Sequence, residues 1–162
     1  MDAETATLHM TGSTPWPFNR WGANQRYHVE SFRAALDTPG EWHLARDGTR
    51  SCMPLADDDM AQAEVVAPVL EQFVQFAGEP EAGRFVVHVA LRGLIFRHGQ
   101  YVLPDGGHVD GQAAFTIPAV IMADGARHVT IEGCEVAHVG IYGIWFRRGC
   151  PDCRLSQTYL AD

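Results

Sequence analysis

At 162 residues with a formal charge of −8, the chain is long enough for one domain with a real core. It is too acidic for a nucleic-acid or anionic-membrane surface, either of which would need a basic stripe. No apolar run reaches the ~18 residues of a membrane span, the first ten residues lack the basic start and apolar middle of a secretion signal, and four cysteines are too sparse for a small disulfide scaffold.

Residues 1–25 read as an irregular segment, because Gly12, Pro15, Pro17 and Gly22 interrupt every periodic run. Trp16, Phe18 and Trp21 lie between these breakers and serve either to pin a loop or to stack on a sugar. Residues 26–68 read as a small antiparallel flap. Short strands are expected at Tyr27–Glu30 and Glu41–Leu44, with one helical turn over Phe32–Leu36 between them. Asp47-Gly48 is a hairpin signal joining Trp42-His43-Leu44 to Arg50-Ser51-Cys52-Met53. Asp57-Asp58-Asp59 lacks the alternating ligands of a calcium loop and reads as an acidic turn. Val65-Val66 suggests a further short strand before Pro68.

From residue 69 onward the chain repeats. Residues 120–138 and 144–162 align with a period of 24, pairing Val120 with Ile144, Gly125 with Gly149, Val129 with Cys153, Ile131 with Leu155 and His138 with Asp162. Inside each copy Val129 and Ile131 alternate with Thr130 and Glu132, which is strand periodicity. Residues 87–98 match 127–138 at a spacing of 40, placing Gly93 at Gly133 and His98 at His138; Phe73 to Phe76 fits the Ile144 strand. No two-residue hairpin turn joins these strands. The expected fold is all-β: about three coils of a right-handed parallel β-helix, three short strands per coil, over residues 69–162. Leu155 and Leu160 then lack a following coil, so the sequence is expected to continue past Asp162 and, as it stands, to self-associate through its last coil.

Leu36-Asp37-Thr38-Pro39-Gly40-Glu41-Trp42, Val65-Val66-Ala67-Pro68-Val69-Leu70-Glu71, Leu91-Arg92-Gly93-Leu94-Ile95-Phe96-Arg97-His98, and Tyr142-Gly143-Ile144-Trp145-Phe146 with Arg148-Gly149-Cys150 occur in this order. The succession, over residues 26–162, resembles the parallel β-helix proteins of glycoside hydrolase family 141. That resemblance implies a secreted or periplasmic bacterial protein of polysaccharide breakdown, α-L-fucosidase or xylanase in type, acting without a cofactor. Two departures qualify it. The family carries a more aromatic strand where Arg50-Ser51-Cys52 stands. Its chain also runs on for several coils that bear the catalytic acids, so no catalytic residue transfers to a position of this sequence.

The residues left to carry chemistry are binding candidates. Glycoside hydrolysis needs two facing carboxylates, whereas the outward column here reads His98, His138, Asp162. That ladder can hydrogen-bond a sugar, or it can serve as a polar corner bonding to backbone. A second outward column, Gln75, Ile121 and Trp145, has Tyr142 beside it; Trp145 and Tyr142 suit the C–H face of a pyranose, unless Trp145 is covered by other chain. The insertion over 99–118 holds Tyr101, Asp105, His108 and Asp110, either as a solvated loop or, if it folds back to His98 or His138, as the start of a metal site; the metal reading is the weaker. Cys150-Pro151-Asp152-Cys153 has redox or zinc spacing, but Cys153 occupies the inward slot of Val129 and is read as structural, without metal. The expectation is thus an early-coil segment of a carbohydrate-active β-helix enzyme whose own residues do not hydrolyse. The alternative is a non-catalytic carbohydrate-binding or structural segment. Its partner in either case is a polysaccharide or oligosaccharide, with neither nucleic acid nor membrane.

Overall fold

The computed structural model describes residues 4–5, 7, 9, 22–26, 28, 31–104, 108, 111–112 and 116–161. The expected Tyr27–Glu30 strand (apart from His28), the aromatics Trp16, Phe18 and Trp21, and the candidates Asp110 and Asp162 lie outside them. Among the described residues the structure is all-β: short strands, several in parallel sheets, with two single-turn 3-10 helices and no α-helix. The chain divides into two compact units, Met1–Glu64 and Val65–Asp162.

In the first unit, β1 (Trp42–Leu44) and β2 (Arg50–Cys52) pair antiparallel with Trp42 opposite Cys52. The Asp47-Gly48 turn closes the hairpin as its chemistry demands. Asp47 Oδ1 accepts from the Thr49 amide at 2.9 Å, and Gly48 takes a positive φ of 87° that costs it no Cβ clash. A 3-10 turn at Arg33–Ala35 stands where a helical turn was expected. Asp58 and Asp59 each accept a backbone N–H, from Leu55 at 2.8 Å and from Ala61 at 2.9 Å, so these two side chains shape a turn.

The second unit is built from three successive passes of chain. The first contributes β3 (Val74–Ala77), β4 (Val86–Val87), β5 (Ala90–Arg92) and β6 (Ile95–Gly99). The second contributes β7 (Ala119–Asp124), β8 (Ala126–Arg127), β9 (Thr130–Glu132) and β10 (Glu135–Val139). The third contributes β11 (Tyr142–Phe146), β12 (Arg154–Ser156) and β13 (Tyr159–Ala161). Each strand pairs in parallel with its equivalent one pass away, in the orders β11-β7-β3, β4-β8, β12-β9-β5 and β13-β10-β6. The two-residue β4–β8 pairing is a fourth strand in the first and second passes, where three per coil were expected, and the third pass has three. Val65-Val66, read as a strand, forms none: both valines are exposed and find no ladder partner.

Register explains the core. Leu91, Ile131 and Leu155 are aligned, as are Phe96, Val136 and Leu160. The middle member of each column is covered by strands on both sides, so Ile131 is 0% and Val136 2% exposed, against 43% for Leu155 and 51% for Leu160. Removing an aliphatic side chain of this size from water contributes about 1.5–3 kcal/mol, so the second pass, with Val120, Ile121 and Val129 also buried, dominates stability.

Between strands the chain turns through residues with left-handed backbone, and these too are stacked. His88 (φ 58°), His128 (φ 54°) and Asp152 (φ 56°) share one corner; Gly93, Gly133 and Gln157 share the next; His98 (φ 61°) and His138 (φ 53°) a third. Such φ values are uncommon for a residue with a Cβ, and His, Asn and Asp tolerate them best. The corner at Gly125 and Gly149 is different. A strap from the first pass, Glu79–Arg84, closes on itself through Glu79 N–H···O Arg84 (2.8 Å) and Arg84 N–H···O Glu79 (3.1 Å), with an ion pair between the two side chains. Its Pro80 lies over both glycines, 3.0 Å from where a Cβ on Gly125 would sit and 2.6 Å from one on Gly149. Only glycine fits beneath it.

One expected alignment is shifted. Ile144 pairs with Ile121, not with Val120, while Gly149 still follows Gly125 by 24 residues. Arg147 and Arg148 together face the single residue Asp124, a bulge. The bulge is held by charge: Arg147 donates to Asp124 at 2.7–3.1 Å through Nε and Nη2, and the Arg148 amide donates to Oδ1 at 3.4 Å.

Candidate functional site

On the β3-β7-β11 sheet the inward column is Val74, Ile121, Ile144, and Ile121 is 1% exposed. Ile121 therefore leaves the outward column in which it was expected. The residue between Gln75 and Trp145 is Met122, a direct consequence of the one-residue shift. Outward, the face carries Gln75, Met122 and Trp145, with Ala77, Asp124 and Arg147 at its edge. Tyr142 meets Trp145 edge-on, with ring centroids 6.1 Å apart at 82°, and is itself 39% exposed. The Arg147 guanidinium sits 5.8 Å from the Trp145 ring centroid. Gln75 Nε2 donates to Gln72 Oε1, and Gln72 Nε2 donates to the Ala119 carbonyl at 2.9 Å. The face thus offers an aromatic pair, a thioether and two amides whose orientation is fixed by each other.

His98 and His138 stack as the alignment requires, with centroids 5.4 Å apart and planes 11° from parallel. The chain leaves this corner toward Tyr142 through Gly140, whose amide donates to the Gly99 carbonyl at 3.1 Å. Tyr101 presses against Gly140; a Cβ there would lie 2.8 Å from the Tyr101 Cβ. Tyr101 in turn meets His108 edge-on at 6.4 Å and 89°. Tyr101, with His108 against it, therefore lies on the segment that joins His138 to Tyr142. The described candidates fall along this one stretch: the His98–His138 stack, then Tyr101 and His108 at Gly140, then Tyr142 and Trp145.

A second ladder went unnoticed in the sequence. His88 and His128 stack at 5.0 Å and 7°, and Asp152 Oδ2 lies 3.9 Å from His128 Nδ1. The signal was present, since these residues keep the same spacings of 40 and 24 that identify His98 and His138. Parallel rings at this separation cannot both point a ring nitrogen at one tetrahedral ion. Among the described residues no group of three or more His, Cys, Asp or Glu is arranged to hold a metal. Cys150 and Cys153 are free thiols directed at the Ala123 and Ala126 carbonyls, each at 3.4 Å.

The strand carboxylates are committed to ion pairs. Glu132 accepts from Arg92 at 2.9 Å, Glu135 from Arg97 at 2.6 Å, and Asp124 from Arg147. Each pair joins adjacent passes. The Arg147 hydrogen bonds hold the Asp124 carboxyl below the ordinary carboxylate range and raise the guanidinium in return. No protein-family model matches this chain, and it matches no curated protein and no solved structure.

Proposed function

We propose that the second unit is a right-handed parallel β-helix whose β3-β7-β11 face binds a polysaccharide without cleaving it. Right-handedness follows from the near-universal hand of parallel crossover connections, about 98% of cases. The observation that carries the binding reading is Trp145, on an outward column with Met122 and Gln75, and its edge-to-face contact with the partly exposed Tyr142. An aromatic plane suits the C–H face of a pyranose, and amides beside it can meet the ring hydroxyls. The class of partner rests on the resemblance to glycoside hydrolase family 141, and we keep that relationship as part of the proposal. Hydrolysis is not assigned to these residues, because the three carboxylates on the described strands each face an arginine one pass away.

Affinity electrophoresis in gels containing xylan or a fucose-bearing polysaccharide tests this. The expected result is retardation of the chain in at least one gel, loss of retardation in Trp145→Ala, and no reducing sugar released. Unretarded migration in every gel, or retardation that survives both Trp145→Ala and Tyr142→Ala, would sink the binding face. Sugar release by the pure chain would overturn the non-catalytic part.

A further inference from the structure

Cys150 and Cys153 flank a corner built unlike its equivalents in the earlier passes. In the first two passes the β4–β8 pair leads into this corner, with Val87 opposite Arg127 and a left-handed His88 or His128 next. The third pass keeps the left-handed residue, Asp152, but sets Pro151 where Arg127 stands 24 residues earlier. Proline has no N–H to give to a ladder, and the β4–β8 sheet stops at two strands. Pro151 and Asp152 instead become the central pair of a turn, with Cys150 before it and Cys153 after it. Proline at the second position and a positive φ at the third, 56° at Asp152, are the pattern of a type II turn.

A turn of this kind holds its first and fourth Cα within about 7 Å, and a disulfide spans a Cα separation of roughly 4.4–6.8 Å. The two side chains also face the same way. Both pack against the buried core, from the slots that Ala126 and Val129 fill one pass earlier. Both are reduced and partly exposed, which leaves them open to a small oxidant. Their present contacts are weak, each an S–H···O at 3.4 Å, to the Ala123 carbonyl from Cys150 and to the Ala126 carbonyl from Cys153. The Ala123 carbonyl keeps the Arg147 amide at 2.9 Å when the thiol turns away. The other two cysteines lack this arrangement: Cys134 is 3% exposed, and Cys52 lies in the first unit.

We propose that Cys150 and Cys153 form a reversible dithiol–disulfide site, closed across the Pro151-Asp152 turn by exchange with a low-molecular-weight disulfide. One cysteine thiolate attacks a sulfur of the small disulfide, expels one small thiol and forms a mixed disulfide. The second thiolate attacks the protein-side sulfur of that bond, closes Cys150–Cys153 and expels the second small thiol. Two protons and two electrons leave the protein, and the small disulfide takes them up as two thiols. The folded turn favours the closing step, because it has already brought the two cysteines together. By linkage, a bond that the fold favours stabilises the fold in return.

The test equilibrates the full chain, with the exposed Cys52 changed to Ser, in mixtures of reduced and oxidised glutathione at mildly alkaline pH. Remaining thiols are trapped by alkylation, and the products are read by intact mass and peptide mapping. Expected is the loss of two hydrogens, mapped to Cys150 and Cys153 and fully reversed by dithiothreitol. The same bond is expected to form at least about tenfold less readily when the chain is unfolded in urea, and the oxidised chain to unfold at higher urea than the reduced one. In Cys153→Ser the loss of two hydrogens is expected to vanish. Thiols that persist at Cys150 and Cys153 in every mixture, glutathione adducts without ring closure, or a bond that uses Cys134 would overturn the site. So would a bond that forms as readily in urea as in the folded chain, because the turn would then contribute nothing to it.

Discussion

His138 stacks on His98 because both residues hold the left-handed backbone of the same corner in successive passes, at φ 53° and 61°. The shape of the corner precedes the chemistry of its side chains. A polar side chain that tolerates φ > 0 is what the position requires, and asparagine meets that requirement as histidine does. His138→Asn is therefore expected to change stability by less than about 0.5 kcal/mol, whereas His138→Val, a β-branched residue, costs about 1–3 kcal/mol. Urea denaturation of the three proteins checks the order. Equal loss in both variants would mean that ring stacking, not backbone shape, holds the corner.

Gly149 and Gly133 share a left-handed φ, 62° and 60°, but differ in what lies above them. Nothing comes within 4 Å of a Cβ placed on Gly133, while Pro80 would stand 2.6 Å from one on Gly149. Gly133→Ala should pay only the backbone term, about 1 kcal/mol. Gly149→Ala should cost at least about 2 kcal/mol, since Pro80 is fixed by the closed strap. Thermal denaturation of the two variants measures the difference. If they melt together, the strap does not rest on this corner.

Much of the second unit was legible because its signals repeat. Val129 and Ile131 alternate with polar neighbours, and the spacings of 40 and 24 recur at Gly133 and His138, so the β5-β9-β12 and β6-β10-β13 registers follow directly. The β7–β11 register did not follow, because Arg147 and Arg148 face one Asp124 and hydrophobicity carries no mark of a bulge. That slip moved Ile121 to the wrong face and hid Met122. Val65-Val66 shows the opposite failure. Two β-branched residues have strand propensity, but a strand needs a partner edge, and propensity alone cannot supply one.

The column Leu91, Ile131, Leu155 predicts a gradient of mutational cost. Ile131 is sealed on both sides, and truncation to Ala leaves a cavity that costs about 2–5 kcal/mol. Leu155→Ala removes a side chain that is already 43% exposed and should cost about 1 kcal/mol or less in a monomer. Chemical denaturation at two protein concentrations separates intrinsic stability from association. A Leu155→Ala loss that grows with protein concentration would show that a second copy covers the third pass.

Asp124 carries the clearest pH dependence. Its carboxyl is held below the ordinary carboxylate range, first by hydrogen bonds from Arg147, then by the Arg148 amide and the charges of both arginines, against the opposing effect of burial. The folded state therefore binds this proton more weakly than the unfolded chain does. Stabilisation from this group is fully present above the unfolded value, near pH 4, and is lost as the pH falls through the lower folded value. With the Asp124 side chain 20% and Arg147 37% exposed, solvent screening limits the effect to about 1 kcal/mol. Asp124→Asn should lower stability at pH 7 by about that amount and flatten the acid limb of the stability curve, while Glu135→Gln leaves the Asp124 contribution to that limb in place. The bulge makes the assignment specific. Arg147 and the Arg148 amide both converge on this carboxylate, so an amide at position 124 loses the charge and one of the two accepting oxygens together. Unfolding free energies measured from pH 7 down to pH 2 decide it: an acid limb unchanged in Asp124→Asn would mean that the Arg147 pair is no stronger in the folded protein than in water.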